Sequence, residues 1–332
     1  MKYKVLGRTG MLVSELCYGT MTFGSETDEA EASRIFHTCR ETGVNFFDCS
    51  NNYSNGMAEV ILGKLIANCR DEVIITTKVS QRVGKDVNAV GSSRRHIMLA
   101  VEQSLSRLKT DRIEIYFIHY FDPFTAIDET LRALDDLVAQ GKVLYLGVSN
   151  WAAWQIAKAL GISERKCLAR FECIEPMYNL VKRQAEVELF PLAESEQLGV
   201  IAYNPLGAGL LTGKYLASDK PQSARITEKE LYNRRYSHPS YYDTVARFVD
   251  YANQAGVSPV TLAVSWVRSH PAVTAPIIGA RNLEQLKASL AAADFEMNGK
   301  MRAEISRLSA TPANATDRLE EELDEKFKFR HN

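Results

Sequence analysis

Short apolar runs alternate with amphipathic helical stretches along this chain, and the alternation repeats eight times. The runs are Ser14–Tyr18, Val44–Phe47, Val73–Thr77, Ile113–Ile118, Val143–Val148, Phe171–Ile174, Val200–Ala202 and Ala275–Ile278. Each is too short for a helix and reads as a buried strand. Between them come a helix over Asp28–Thr42 closed by Gly43, one near Met57–Ala67, and one with the stripe Ile97, Val101, Leu105 and Leu108. The next carries Ile127, Leu131, Leu134 and Val138 and ends at Gly141. Helices are also expected over Trp151–Leu160, stopping at Gly161, and over Gln184–Leu198. After the long polar connection Asn204–Pro239 come two more, the second opened by Ser258-Pro259, and a last helix starts at Asn282 with Gln285 at capping-box spacing.

Such alternation argues for a parallel sheet covered by helices. Eight units predict an α/β fold, a (β/α)8 TIM barrel, with an N-terminal β-hairpin (Lys4–Leu6 and Met11–Val13) and extra helices. One barrel domain is expected over 1–332, with a charged C-terminal tail at 310–332. No GxGxxG follows the first strand and no GxxxxGK[ST] occurs, which argues against the open nucleotide-binding sheets.

The bulk properties narrow the function. A formal net charge of −1 leaves no electrostatic footprint for nucleic acid. No apolar run approaches the roughly 20 residues of a membrane span. Met1–Leu6 lacks the apolar core of a signal peptide. Six cysteines are scattered without CxxC spacing, so reduced thiols in a cytoplasmic protein are expected rather than a zinc or disulfide framework.

One stretch concentrates the chemistry. The strand Val44–Phe47 runs into Asp48, and a polar turn then brings Tyr53; Lys78 and His119 follow the next two strands. In a parallel barrel the C-terminal rim is where active sites are built, and neighbouring strands lie about 5 Å apart. Taken singly, each residue has an ordinary explanation: a helix cap, a rim charge, a packed ring. Their succession at consecutive strand ends outweighs those explanations. Tyrosine titrates near 10, and an ammonium within about 4–6 Å lowers that value. A buried Lys78 needs a counter-charge, which Asp48 supplies, and His119 is suited to bond a substrate oxygen. A tuned proton donor of this kind suits reduction of a C=O by a hydride carried in from elsewhere.

From the hairpin to about Leu290 the sequence resembles the aldo-keto reductases. The resemblance rests on Gly43-(x)4-Asp48-(x)4-Tyr53 with Glu59 and Leu62-Gly63, on Thr77-Lys78, Ile118-His119 and Gly141-Lys142-Val143, on Leu146–Asn150, and on the run Tyr203–Lys214. That run is more similar to the bacterial and potassium-channel β-subunit-like branches than to the mammalian aldose-reductase branch. The resemblance implies NADP(H) as the preferred cofactor, with NAD(H) as the alternative, and a small carbonyl or alcohol substrate. It implies Tyr53 as the acid, tuned by Lys78 and Asp48, with His119 orienting the carbonyl. Ser149, Asn150 and the residue at Glu175 are expected to hold the carboxamide, and Tyr203 to stack on the nicotinamide. Leu206, Gly207 and Gly209 are expected to offer N–H groups to the pyrophosphate, Arg281 to grip a 2′-phosphate, and Gln285 to face the adenosine or serve only as a cap.

Two positions depart from the family pattern. Glu175 stands where the family usually has Gln. Ionised at about 5 Å from the ring, it is expected to favour the oxidised cofactor by at most roughly 3 kcal/mol at an effective dielectric near 20. Ser289 stands where relatives often carry Asn. The expected substrate lining is Met21, Phe23, Tyr53, the Ser80–Gly91 loop, Tyr120, Phe121 and parts of Asn204–Pro239. A second reading is a cofactor-binding regulatory subunit with slow or no turnover, against which the lack of a long N-terminal extension weighs. A barrel hydrolase or isomerase lacks a metal cluster or nucleophile in this sequence. Nothing in the sequence speaks to oligomeric state.

Overall fold

The structure, a computed structural model, describes residues 1–216 and 224–316. The expected tail at 310–332 therefore lies mostly outside the described residues, as does part of the Asn204–Pro239 connection. Strands β1 (Tyr3–Val5) and β2 (Leu12–Ser14) form the antiparallel hairpin, with Lys4 opposite Val13. The remaining strands are β3 (Cys17–Gly19), β4 (Phe46–Asp48), β5 (Ile74–Val79), β6 (Ile113–Ile118), β7 (Val143–Ser149), β8 (Phe171–Glu175), β9 (Gly199–Ala202) and β10 (Ala275–Ile278). They pair in parallel and in sequence order, and β10 closes the barrel by pairing with both β9 and β3.

Strand pleating sorts the side chains. Phe46, Ile74, Ile115, Phe117, Cys173, Ile201 and Ile277 pack together inside the barrel, joined by Leu6 and Val13 of the hairpin region, which plug its N-terminal end. Their neighbours Phe47, Ile75, Tyr116, Ile174 and Val200 face outward and pack with the apolar faces of the helices. Those helices are α1 (Glu29–Glu41), α2 (Met57–Leu65), α3 (Arg94–Leu108), α4 (Ile127–Ala139), α5 (Ala153–Lys166), α6 (Leu189–Ser195), α7 (Arg225–Glu228), α8 (Glu230–Tyr236), α9 (Pro239–Gln254), α10 (Pro259–Arg268), α11 (Leu283–Leu290) and α12 (Gly299–Ser306). None of them is long and apolar enough to cross a membrane. All six cysteines are free.

The first barrel strand is Cys17–Gly19 rather than Ser14–Tyr18, helices α7 and α8 fall inside the expected Asn204–Pro239 connection, and two helix boundaries also differ from the sequence expectation. Gly161 does not end its helix: α5 runs on to Lys166, burying Ile162 and Ser163, and Cys167 ends it in the left-handed region at φ 51°. The expected helix Gln184–Leu198 is broken into a single 3-10 turn, Gln184–Glu186, and α6. Pro191 explains the break: without an N–H it is accommodated in the first turn of α6 but not in the interior of a longer helix. Gly63, in contrast, is required where it stands. A Cβ there would lie 2.6 Å from the carbonyl oxygens of Arg107 and Leu108, so the glycine lets α2 lie against the end of α3.

These two glycines predict opposite outcomes in thermal or denaturant unfolding. Gly161→Ala adds a methyl whose nearest neighbour is the flexible tip of Arg165 at 3.4 Å, and should stabilise by about 0.5–1 kcal/mol through helix propensity. Gly63→Ala should destabilise by about 1–3 kcal/mol, the usual penalty of overpacking.

Candidate active site

The same two-residue period that fills the barrel places its polar groups. One step beyond interior Phe46 comes Asp48; two steps beyond Ile74 comes Lys78; one beyond Phe117 comes His119; one beyond Cys173 comes Glu175; and one beyond Ile201 comes Tyr203. The polar residues thus form the layer above the apolar filling, at the C-terminal mouth. Lys78 is completely buried. Its Nζ donates to Asp48 Oδ1 and to the carbonyl of Cys49 at 2.9 Å, and lies 3.3 Å from Glu175 Oε2. Asp48 Oδ1 also accepts from Thr76 Oγ1 at 2.5 Å. The Tyr53 ring centroid is 5.4 Å from Lys78 Nζ and 6.1 Å from the His119 ring. The four expected residues therefore converge, and Glu175 joins them.

The electrostatics differ from the expectation in two ways. Lys78 alone would lower the Tyr53 pKa. Burial instead pushes the phenol well above its ordinary value; Lys78 pulls it down, and Asp48 and Glu175 push it up again. Tyr53 is held as a protonated acid, not as a phenolate. The bias toward the oxidised cofactor expected of Glu175 holds only if its carboxyl is ionised, and its surroundings oppose that. Burial first, and Asp48 competing for the same ammonium second, push its carboxyl up to about 8, against the attraction of Lys78. It is mostly protonated at neutral pH. Burial opposes the charge on Lys78, but Asp48 and then Glu175 hold its pKa well above the ordinary value. Burial and the Lys78 charge hold His119 well below its ordinary value, so its ring is neutral.

A hydrogen-bond chain fixes that ring. His119 Nδ1 lies 3.3 Å from Ser50 Oγ, which donates to Asn52 Oδ1 at 2.6 Å; Asn52 Nδ2 donates to Gln81 Oε1 at 3.1 Å. In this direction Nδ1 carries the proton and Nε2 accepts. Flipping the two amides reverses the chain and moves the imidazole proton to Nε2. Ser50, Asn52 and Gln81 were not singled out from the sequence.

The neighbouring rim is tied together. Ser149 Oγ donates to the Glu175 carbonyl at 2.9 Å, Asn150 Nδ2 to Ser149 Oγ at 2.9 Å, and Tyr203 OH to Asn150 Oδ1 at 2.7 Å. Beyond β9, residues 207, 208 and 209 all have positive φ, 57°, 56° and 84°. The N–H groups of Gly207 and Gly209 close turns onto Asn204 and Leu206 carbonyls, so of the three expected donors only that of Leu206 has no partner among the described residues. Lys214, which ends the run that carries the resemblance but has no expected contact, stands beside this turn: a Cβ on Gly209 would come within 3.1 Å of its Nζ. Arg281 is ion-paired to Glu26 at 3.4 Å, and Glu26 also meets Arg225 at 3.4 Å and Lys229 at 3.5 Å. Gln285 caps: its Oε1 accepts from the Arg281 N–H at 3.1 Å while its own N–H is held by Asn282 Oδ1 at 3.0 Å. Ser289 is buried. Of the expected lining, Phe23 is a core residue against Tyr18 at 5.7 Å, not a pocket wall. Phe121 packs edge-on against Trp151 at 5.0 Å, while Tyr120 is exposed beside His119.

Residues 15–310 match the profile of the Aldo/keto reductase family. The chain belongs to that family. Among its relatives, the uncharacterized oxidoreductase YrpG of Bacillus subtilis is 35% identical over 95% of this chain and 98% of its own length. A probable voltage-gated potassium channel subunit beta of Oryza sativa is 36% identical over 89% and 92%, and Protein tas of Escherichia coli 31% over 92% and 96%. Membership implies oxidoreductase chemistry with a nicotinamide cofactor.

In this aldo/keto reductase the raised carboxyl of Glu175 predicts a pH signature. Its folded pKa lies above its unfolded one, so its contribution to stability is full below the unfolded value and lost as pH rises toward about 8. Glu175→Gln removes that titration. The stability of the native protein minus that of the variant, from denaturant unfolding, should fall between about pH 5 and pH 8, by at most about 1.4 kcal/mol per pH unit.

Proposed function

We propose that the protein reduces aldehydes and ketones to alcohols with NADPH, using Tyr53 as the general acid. The observation that carries this reading is the phenol of Tyr53, kept protonated beside the buried Lys78 ammonium, next to a neutral histidine. No protein group among the described residues takes the phenol's proton in a hydrogen bond, which leaves it available to a substrate.

The residues present fit a nicotinamide dinucleotide. Ser149, Asn150 and Glu175 offer donors and acceptors on one rim, with the Tyr203 ring alongside, tethered through its OH. A protonated Glu175 presents one O–H donor and one carbonyl acceptor, the same pair that a glutamine amide presents, so it suits a carboxamide in either direction. Lys214, Arg225, Lys229 and Arg281 gather around Glu26, an excess of cations over that carboxylate that suits a phosphate, although Glu31 already takes the first N–H of α11, that of Leu283, at 2.8 Å. That excess supports NADPH over NADH. The cofactor, when bound, supplies the hydride. With the Ser50–Asn52–Gln81 chain in its reversed direction, His119 carries its proton on Nε2 and holds the carbonyl oxygen by hydrogen bond. Tyr53 then gives its proton to that oxygen as charge develops on it. Lys78 lies close enough to steady the phenolate left behind.

The likeness to channel β subunits favours a second reading, a cofactor-binding regulatory subunit with slow turnover. NADPH oxidation against a panel of small aldehydes and ketones decides between them, with NADH in parallel. Tyr53→Phe should lose turnover by at least about 100-fold while keeping NADPH affinity. Tight NADPH binding by the native protein with no turnover on any carbonyl would move the reading to the regulatory subunit.

A further inference from the structure

A cavity of about 400 Å³ opens beside the site, and Asn150, Glu175 and Tyr203 share its wall with Trp151, Lys182 and Arg235. Both cations are half-buried. Each is without a carboxylate partner among the described residues, although their chain neighbours have one: Arg183 pairs with Glu186 at 2.8 Å, and Arg234 lies 4.0 Å from Glu230. Lys182 Nζ instead donates to the Tyr241 phenol at 3.0 Å and sits 4.8 Å from the centre of that ring; Arg235 lies over Tyr232 at 5.7 Å. The Arg235 charge acts on the phenols of Tyr120 and Tyr203, which places it at the mouth that leads to the reacting groups.

Among the described residues Glu175 is the only carboxyl in the cavity wall, and it is mostly protonated at neutral pH. Two cations and a neutral acid leave the cavity positive. Its other wall residues include Trp151, Ile156, Met177 and Leu189, which suit an apolar or aromatic body. Half-buried cations held by phenols rather than carboxylates keep their charge available to a ligand, and a guanidinium fits carboxylate and phosphate oxygens in pairs.

We infer that Lys182 and Arg235 form an anion subsite, and that the substrates are carbonyl compounds with an apolar body and a carboxylate or phosphate group. This rests on the carbonyl-reductase reading of the same site.

The test compares kcat/KM for 4-carboxybenzaldehyde and 4-formylphenyl phosphate with that for the neutral methyl 4-formylbenzoate. Measurements use native protein, Arg235→Gln and Lys182→Gln, with NADPH affinity determined for each. Native protein should favour at least one anionic aldehyde by tenfold or more, chiefly through KM. Each variant should cut that preference at least threefold, and the aldehyde preferred tells carboxylate from phosphate. A native preference near one, or a preference that survives both substitutions, overturns the subsite. Weakened NADPH binding with the preference intact also overturns it, because Arg235 then serves the cofactor. If no aldehyde turns over, the reductase reading fails separately, and calorimetry with terephthalate and with phenyl phosphate decides the subsite. Binding of either by native protein that is lost in Arg235→Gln upholds it, and binding of neither overturns it.

Discussion

An ammonium with no access to water sits at the centre of this molecule's chemistry. Left unpaired, the Lys78 charge would cost several kcal/mol of desolvation. Asp48, the Cys49 carbonyl and Glu175 take the place of water around it. One ammonium balances one carboxylate, and here there are two. The second must keep a proton. Glu175 is the one that does: its Oε2 has no well-aligned hydrogen-bond partner among the described residues, whereas Asp48 receives both Lys78 and Thr76. Burial, with Asp48 offsetting the pull of Lys78, holds the Tyr53 proton in place. The cluster is thus loaded with protons at neutral pH, the state that the proposed acid role of Tyr53 needs.

The fold positions this cluster by counting. Strand residues that alternate inward fill the barrel with apolar groups below and polar groups above, and the parallel register sets their heights. Asp48 pairs in register with Thr76, Lys78 with Phe117, and Ser149 with Glu175. The hairpin region packs Leu6 and Val13 into the opposite end of the apolar filling, away from the C-terminal mouth. Outside the proton-loaded centre the charge is positive, at Lys182 and Arg235 on one flank and around Glu26 on the other.

Much of this is legible in the sequence because it depends on short-range pattern. The eight strands and the residues at their ends follow from a period of two, and Asp48, Lys78 and His119 emerge from it with their partners. What depends on burial and on distant contacts is not legible. The protonation of Glu175 comes from its burial and then from Asp48, more than a hundred residues away in the chain. The pairing of Arg281 with Glu26, the Ser50–Asn52–Gln81 chain behind His119, and the meeting of Lys182 with Arg235 leave no local signal. Lys214 did leave one, inside the Gly-Leu-Leu-Thr-Gly-Lys run, and its meaning appears only when Gly209 is seen to hold it beside the turn. Gly161 misleads for the opposite reason: a glycine that can end a helix need not, when the apolar stripe continues through it.

The most direct measurement is infrared spectroscopy of the carboxyl carbonyl stretch, followed through pH in native protein and Glu175→Gln. A band from a protonated, buried carboxylic acid should be present near pH 7, fade as pH rises past about 8, and be missing in the variant. A native spectrum with no such band at neutral pH, or a band that persists in Glu175→Gln, would contradict the proton-sharing arrangement around Lys78.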